Sequence, residues 1–324
     1  MKAVLCKTLD GPGSLVLEDI PDPAPGPGEV VIKVKAAALN FFDTLITRGK
    51  YQKKPELPFS PSGEVSGVVE ALGENVTGLE VGQRVAAYLA WGGAREKVVA
   101  AAEAVIPVPD NVSDELAAGV SVTYGTAIHG LKDRAKVKSN EWVAVTGASG
   151  GAGLAAIEIA KLLGARVIAV ASSPEKLEIC RKHGADVLVD YKAGDLKTQL
   201  KAVTNGNGVD VVYDCIGGEY AEPAVRALAW GGRFLVVGFA AGSIPKLPLN
   251  LLLLKGAEAV GVFWGESVKR DPMGHRDNMT SVLKWVSAGR LVPRIHATYP
   301  LAETANAIGV LDRREAVGKV VLTL

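Results

Sequence analysis

The stretch Trp142-Val-Ala-Val-Thr-Gly147-Ala-Ser-Gly150-Gly-Ala-Gly153-Leu154 constrains this chain more than any other. It reads as an apolar strand, a turn dense in glycine and the start of a helix. Glycine lets backbone N–H groups come closer to a ligand than any Cβ would permit. The helix that follows aims the positive end of its dipole at the same point, which favours an anion there. The spacing Ala148-x-Gly150-x-x-Gly153 matches the dinucleotide fingerprint with alanine in the first glycine place. The context this pattern needs is present: a strand before, a helix after, and a second strand, Arg166 to Ala171, about twenty residues on. A pyrophosphate belongs at such a turn, with Ser149, Gly150, Gly151 and Ala152 as candidate ligands. The competing reading is a strand–helix turn packed tightly for structural reasons alone.

In chains that bind NAD, an acidic residue closes the second strand and holds the adenosine ribose hydroxyls. Here the strand closes as Val170-Ala-Ser172-Ser173-Pro174-Glu175-Lys176, with no acid at its end. A carboxylate repels a 2′-phosphate, whereas serine hydroxyls and a lysine bind one. Ser172, Ser173 and Lys176 therefore point to NADPH rather than NADH. Ser173 is also placed as an N-cap, with Pro174 at the first helical position. Lys176 then falls in the first turn, where a cation opposes the helix dipole; the alternative is a solvated lysine on an exposed turn. Tyr191 closes the next strand, Asp186 to Tyr191, near the expected place of the adenine or its phosphate.

With 324 residues the chain is long enough for two domains and a sizeable core. Hydrophobic residues at 48% and charged residues at 22% give an ordinary globular balance. A net charge of +1 gives no broad attraction to nucleic acid or to a membrane surface. The longest apolar candidate, around Leu247 to Leu254, is far too short to span a bilayer. Met1-Lys2-Ala3-Val4-Leu5 runs straight into strand-like sequence without the look of a signal peptide. Cys6, Cys180 and Cys215 lie far apart, as buried thiols in a reducing compartment do, so a cytoplasmic protein is expected.

Residues 1–121 read as mostly β, with short strands such as Glu29 to Lys35 and Glu64 to Glu70 separated by Gly and Pro clusters. The cluster Pro21-Asp-Pro-Ala-Pro-Gly-Pro-Gly28 reads as a turn between strands. From 122 to 264 strands and helices alternate, with strands at 142–147, 167–171, 187–191, 209–216, 233–238 and 258–264. Helices are expected at Leu154 to Leu163 and at Pro174 to His183, the second stopped by Gly184. Such alternation implies a parallel sheet covered on both faces, with a ligand beyond the carboxyl ends of the strands. Ile216, Gly238, Phe239, Phe263 and Trp264, at three strand ends, are candidate walls; their plain alternative is ordinary sheet termini. Residues 265–324 leave the pattern: a helix from Asn278 to Ala288, a strand near His296, a helix from Leu301 to Leu311 and a last strand from Lys319 to Leu324. This tail is expected to rejoin the first domain.

Several motifs now carry a family resemblance over nearly the full length. They are Gly28-Glu-Val-Val-Ile-Lys-Val, Ala38-Leu-Asn40-Phe-Phe-Asp43, Gly63-Glu-Val-Ser-Gly67 with Val81-Gly-Gln-Arg-Val85, and Thr123-Tyr-Gly-Thr126-Ala. Gly150-Gly-Ala-Gly153, Lys176, His183-Gly-Ala-Asp186, Tyr191 and the closing Gly318-Lys319-Val-Val-Leu follow in order. The chain resembles the zinc-independent, zeta-crystallin-like quinone oxidoreductases of the medium-chain dehydrogenase/reductase superfamily. The resemblance implies an α/β fold: a GroES-like β-barrel catalytic domain plus a Rossmann domain with a doubly wound parallel sheet. It implies NADPH in the cleft between the two, with Lys319 among the cofactor-binding residues. It also implies a homodimer or homotetramer joined through the last Rossmann strand, here Val260 to Trp264. Leu45 departs from the pattern, standing where some members carry a tyrosine.

Zinc alcohol dehydrogenases of that superfamily hold a catalytic zinc with a cysteine, the histidine of Gly-His-Glu and a further ligand. Here Asn40 stands in the place of the first cysteine and Ser62-Gly63-Glu64 replaces the histidine motif. Residues 86–110 contain no cysteine for a structural zinc, and His129, His183, His275 and His296 are scattered singly. A metal-free enzyme is expected. Alcohol oxidation then lacks its route to an alkoxide, whereas hydride transfer to a quinone or to the β-carbon of an enone needs only a donor for the developing oxyanion. Asn40 is the lead candidate to orient the nicotinamide or polarise the acceptor carbonyl, its alternative being a turn residue. Thr126 bonds the nicotinamide amide or a diphosphate oxygen, or else caps a helix. Asp43 positions water or a backbone group, or else caps a helix. No dedicated proton donor stands out. The expected activity is NADPH-dependent reduction of quinones. The alternatives are a reductase of α,β-unsaturated carbonyls or enoyl thioesters, and a non-catalytic NADPH-binding, crystallin-like protein.

Overall fold

A computed structural model describes residues 1–324. Its contacts divide the chain into two units, Met1–Val122 with Ser267–Leu324, and Thr123–Glu266. No helix is long and apolar enough to cross a membrane.

The first unit opens with the antiparallel pair β1 (Lys2–Leu5) and β2 (Val16–Asp19). The Pro-Gly cluster leads into the long strand β3 (Glu29–Leu39), then helix α1 (Phe41–Ile46) and strands β4 (Glu64–Leu72), β5 (Arg84–Tyr88), β6 (Lys97–Ala101) and β7 (Val105–Pro107). The parity of β3 explains how the barrel closes. Val30, Ile32 and Val34 enter the barrel core, and beyond them Ala37 and Leu39 do. One residue has been inserted, because the register with β4 shifts between Val34 and Ala36. A bulge of this kind flips every later side chain to the other face and sharpens the strand's bend. Ala36 and Ala38 thereby face outward and pack against Ala118, which lies on helix α2 (Asp114–Ile128).

In the second unit β8 (Trp142–Thr146), α3 (Gly151–Leu162), β9 (Arg166–Ala171), α4 (Pro174–Lys182), β10 (Val187–Asp190), α5 (Leu196–Val203) and β11 (Val209–Asp214) alternate as expected. Helix α6 (Ala221–Arg226), β12 (Leu228–Val236), α7 (Asn250–Leu253) and β13 (Glu258–Gly261) complete a six-stranded sheet in the order β10-β9-β8-β11-β12-β13. Every pair in it is parallel. Ligand sites of such sheets lie where the order reverses, between the ends of β8 and β11. Buried Val, Ile and Ala residues fill the strands, as a sheet covered on both faces requires. Among the boundaries that differ from the sequence reading, two strand limits move by three residues or more. Strand β12 begins at Leu228, five residues before the expected 233, because Trp230-Gly-Gly resembles a turn but continues the strand. Strand β13 ends at Gly261 rather than 264, and Trp264 opens helix α8 (Trp264–Arg270).

The chain then forms α9 (Pro272–Ser287), β14 (Ile295–Pro300), α10 (Thr304–Asp312) and β15 (Lys319–Thr323). Helix α9 starts six residues before the expected Asn278, because the Asp271 carboxylate accepts the Gly274 N–H and Pro272 occupies the first turn. Strand β15 pairs antiparallel with β3 and parallel with β14, so the last strand lies in the sheet of the first unit.

Gly67 sits opposite the bulge of β3. A Cβ placed there would lie 2.0 Å from the Lys33 carbonyl oxygen, an atom the backbone cannot move aside. Gly67→Ala is expected to destabilise the protein by about 1–3 kcal/mol and to lower the thermal midpoint by roughly 2–10 °C. Differential scanning calorimetry measures this directly.

Candidate active site

The first unit gathers its polar residues around the junction of β3 and α1. Asn40 ends β3 and caps α1: its carbonyl accepts the Asp43 N–H at 2.9 Å, and its own N–H donates to Asp43 Oδ2 at 2.8 Å. This is the reciprocal arm of a capping box. The other Asp43 oxygen accepts the Ser62 N–H at 2.8 Å. Ser62 holds a φ of 69°, rare for a residue with a side chain. Its hydroxyl lies between the carbonyls of Ala38 and Glu64, at 3.0 and 3.1 Å.

A buried ion pair adjoins this cap. Lys319, at the start of β15, and Glu64, at the start of β4, are 4% and 0% exposed. The ammonium donates to Glu64 Oε1 at 2.7 Å, to Asn40 Oδ1 at 2.6 Å and to the Leu39 carbonyl at 3.1 Å. Glu64 Oε1 also accepts from Asn40 Nδ2 at 2.9 Å, and Oε2 accepts the Val122 N–H of α2 at 2.7 Å. A buried charge pair persists only when its remaining lone pairs and protons are matched, and here they are. The resemblance implied Lys319 as a cofactor ligand; in the structure its ammonium donates to three groups of the first unit.

Aromatic rings border the cluster. Phe42 and Tyr51 stack with centroids 5.4 Å apart, and the tip of the Phe42 ring reaches to 2.8 Å from a Cβ placed on Gly63. Burial, with the Asp43 charge added, pushes the Tyr51 hydroxyl up. No group of three or more His, Cys, Asp or Glu side chains converges anywhere in the chain. What converges at Asn40 is an ammonium, a carboxylate and an amide, a donor set that does not fit a catalytic zinc. The amide retains one N–H beyond the bonds above, so it can donate to a carbonyl oxygen.

In the second unit the glycine turn has the geometry of an anion cradle. Gly147 has a φ of 62°, and a Cβ on it would lie 2.6 Å from Ile216 Cδ1. A Cβ on Gly153 would lie 2.3 Å from the Gly147 carbonyl, so the first turn of α3 packs directly on the strand end. Gly150 caps α3 without a side chain, and the Leu154 N–H to Gly150 carbonyl bond, at 2.9 Å, opens the helix. The N–H groups of Gly151, Ala152 and Gly153 come before that bond and suit a diphosphate. Ser149 lies buried in the same turn. Ile216, Gly238 and Phe239 join it from the ends of β11 and β12; the Phe239 ring would stand 2.8 Å from a Cβ on Gly217.

Asp214 shapes this wall and is missing from the sequence reading. It ends β11, two residues earlier than expected, and its carboxylate accepts N–H bonds from Ile216 at 3.1 Å and Gly217 at 3.1 Å. The Thr146 hydroxyl donates to it as well. Burial raises its pKa against those donors. An acid between an apolar strand and Cys215-Ile-Gly-Gly is the signal that would have found it.

The remaining candidates separate. The Ser173 hydroxyl accepts the Lys176 N–H at 3.4 Å as the cap of α4. The Lys176 side chain is half-buried, and Ser172 lies nearby at the end of β9. Tyr191 follows β10 and packs on Tyr220, ring centroids 4.5 Å apart. Thr126 lies deep inside α2, which begins at Asp114, so the alternative of an N-cap is corrected. Phe263 and Trp264 do not extend the last strand. The chain turns there to lay the Trp264 indole on Gly125, 2.7 Å from a Cβ placed on that glycine.

Burial raises the Asp43 carboxyl to about 7, opposed by the N–H groups of Asn40 and Ser62 and by Lys319. The folded protein therefore holds a proton between about pH 4 and pH 7 that the unfolded chain has released. This group's contribution to stability is full below pH 4 and is lost as pH rises through 7, on the order of 4 kcal/mol. Asp43→Asn is expected to be less stable near pH 4, since one backbone N–H loses its acceptor, yet to show a flatter dependence of stability on pH from 4 to 7. Urea unfolding at stepped pH checks both.

Residues 26–110 match the alcohol dehydrogenase GroES-like domain, and residues 151–287 match the family described as zinc-binding dehydrogenase. A quinone oxidoreductase-like protein 2 homolog from Nematostella vectensis is 38% identical over 99% of this chain and 88% of its own length. A mycobacterial protein solved in complex with NADPH superposes with a TM-score of 0.93 at 32% identity, over 100% of both chains. The CurK enoyl reductase superposes with a TM-score of 0.90 at 26% identity, over 99% of this chain and 98% of its own. The chain belongs to the quinone oxidoreductases of the medium-chain dehydrogenase/reductase superfamily.

Proposed function

We propose that this chain is an NADPH-dependent reductase that transfers hydride to quinones without a metal. Asn40 carries the reading. Where a zinc alcohol dehydrogenase places a cysteine ligand, this chain presents an amide held by Lys319 and Glu64. Bound NADPH supplies the hydride. The chain's own residues do the rest. The N–H groups of Gly151, Ala152 and Gly153 hold the diphosphate. Ser172, Ser173 and Lys176 favour the 2′-phosphate, and Ile216 and Phe239 wall the strand ends. Asn40 donates its remaining N–H to the acceptor oxygen, where negative charge develops as hydride arrives. Asp43 and Ser62 hold the backbone from which that amide projects.

The exposed edge strand β13 supports assembly into a homodimer. Glu258, Ala259 and Gly261 are exposed along it, and a sheet edge with no further strand beside it invites a second copy. Reduction of enones or enoyl thioesters is the second reading, favoured by the likeness to the CurK enoyl reductase.

Two measurements test the proposal. NADPH oxidation is followed with a quinone, a 2-alkenal and an enoyl-CoA. The quinone is expected to turn over fastest, and Asn40→Ala to lose about a hundredfold in kcat. Preference for the alkenal or the thioester shifts the reading to the second class, and tight NADPH binding with no turnover on any acceptor leaves a non-catalytic binder. For the coenzyme, Lys176→Ala is expected to lower kcat/KM about tenfold for NADPH and to leave NADH unchanged. Equal wild-type kcat/KM for the two coenzymes would remove the 2′-phosphate assignment.

A further inference from the structure

We infer that Lys319 and Glu64 are positioning residues that set which way the Asn40 amide faces. This rests on the reading that Asn40 acts on the acceptor, and it names the two groups that make that action directional.

An asparagine amide is nearly symmetric in shape, and only its hydrogen-bond partners distinguish the oxygen from the nitrogen. Asn40 lies against two groups of opposite kind. The Lys319 ammonium offers donors alone, and the Glu64 oxygens facing Asn40 and Val122 act as acceptors. The observed orientation sets Oδ1 2.6 Å from the ammonium and Nδ2 2.9 Å from the carboxylate. The reversed amide would set N–H against N–H⁺ at one contact and oxygen against oxygen at the other. Both contacts would turn repulsive together, among side chains that are all buried.

The pair itself is held in place. Lys319 has its third hydrogen bond to the Leu39 carbonyl, and its stem runs over Gly119, where a Cβ would stand 3.4 Å from Cγ. Glu64 is tied through Oε2 to the Val122 N–H. The backbone of Asn40 is fixed by a separate set, the two bonds to Asp43. The cap therefore locates the Cα and the ion pair orients the side chain. The remaining Nδ2 hydrogen is assigned by charge rather than by packing.

The test separates orientation from mere support of the fold. Lys319→Met removes the donor. Lys319→Met combined with Glu64→Gln removes both charges. The amide then present at position 64 can either donate to or accept from Asn40, which keeps the protein foldable while erasing the directional code. Asparagine-labelled protein without ligand is studied by ¹H–¹⁵N NMR, with Asn40→Ala identifying the Asn40 amide signals. The wild type is expected to show one well-separated pair of Asn40 amide protons. The double variant is expected to show them broadened or doubled. In turnover, kcat with the quinone is expected to fall at least about tenfold in the double variant, while NADPH affinity, read by fluorescence, stays within about twofold. In an Asn40→Ala background the same two substitutions are expected to change kcat by less than about twofold, because the group they orient is gone. Unchanged Asn40 amide signals in the double variant, or an equal loss of kcat in both backgrounds, overturns the inference. If Asn40→Ala alone keeps wild-type turnover while the NMR behaves as expected, the orientation holds and the assignment of Asn40 to the acceptor falls.

Discussion

A buried lysine–glutamate pair ties the first unit together. Glu64 opens β4 and Lys319 opens β15, and 255 positions of sequence separate them. Bringing two charges out of water costs several kcal/mol each, and only a complete set of partners offsets it. Those partners come from the end of β3, from Asn40 and from α2. The pair is therefore satisfied only once these elements are all in place. Removing one member of such a pair typically costs ~3–5 kcal/mol, whereas replacing both by neutral groups is often close to neutral. The pair is thus a poor means of gaining stability and a good means of fixing one arrangement. The bulge that reverses the parity of β3 serves the same arrangement. It turns Ala36 and Ala38 toward α2 and leaves Asn40 at the strand's end, beside the ammonium.

The second unit reaches its precision by other means. Its anion cradle contains no charged side chain. Gly147 supplies a left-handed turn under Ile216, and Gly153 brings α3 onto the strand end closer than a methyl group permits. Backbone N–H groups have no rotamers, so a cradle made from them is set as soon as the strand and helix are packed. Asp214 extends the same logic to the neighbouring strand end. Its carboxylate gathers the N–H groups of Ile216 and Gly217 and holds the loop that covers Gly147.

This difference explains what is legible in the sequence. The alternation of strands and helices after residue 140 follows from short periodicities, and Ser173-Pro174 announces its own helix start within two residues. The glycine turn is legible for the same reason, since every part of it is local. Asn40 and Lys319 both stand out, but through separate motifs. Nothing in the spacing of the two motifs says that they touch, because a non-local ion pair leaves no periodic trace. The bulge of β3 is equally hidden: the run Lys35-Ala-Ala-Ala-Leu39 has no alternation from which to read a change of parity. Asp271-Pro272 shows the opposite case, a local start signal that is stronger than the one at Asn278.

Trp264 shows how tertiary contact decides where an element ends. Val260-Gly-Val-Phe-Trp264 has the composition of a strand throughout, yet the ladder stops at Gly261. An indole carried farther along the edge would leave its large apolar surface beside water. Turned inward, it lies on Gly125, and the absence of a side chain there is what admits it. Burying a ring of that size is worth more than two further rungs on a sheet edge, where each net hydrogen bond contributes about 1 kcal/mol. The strand is short because a glycine more than a hundred residues earlier makes room for a tryptophan. The same complementarity, one small residue admitting one large or charged group, recurs where Gly119 lies under the stem of Lys319.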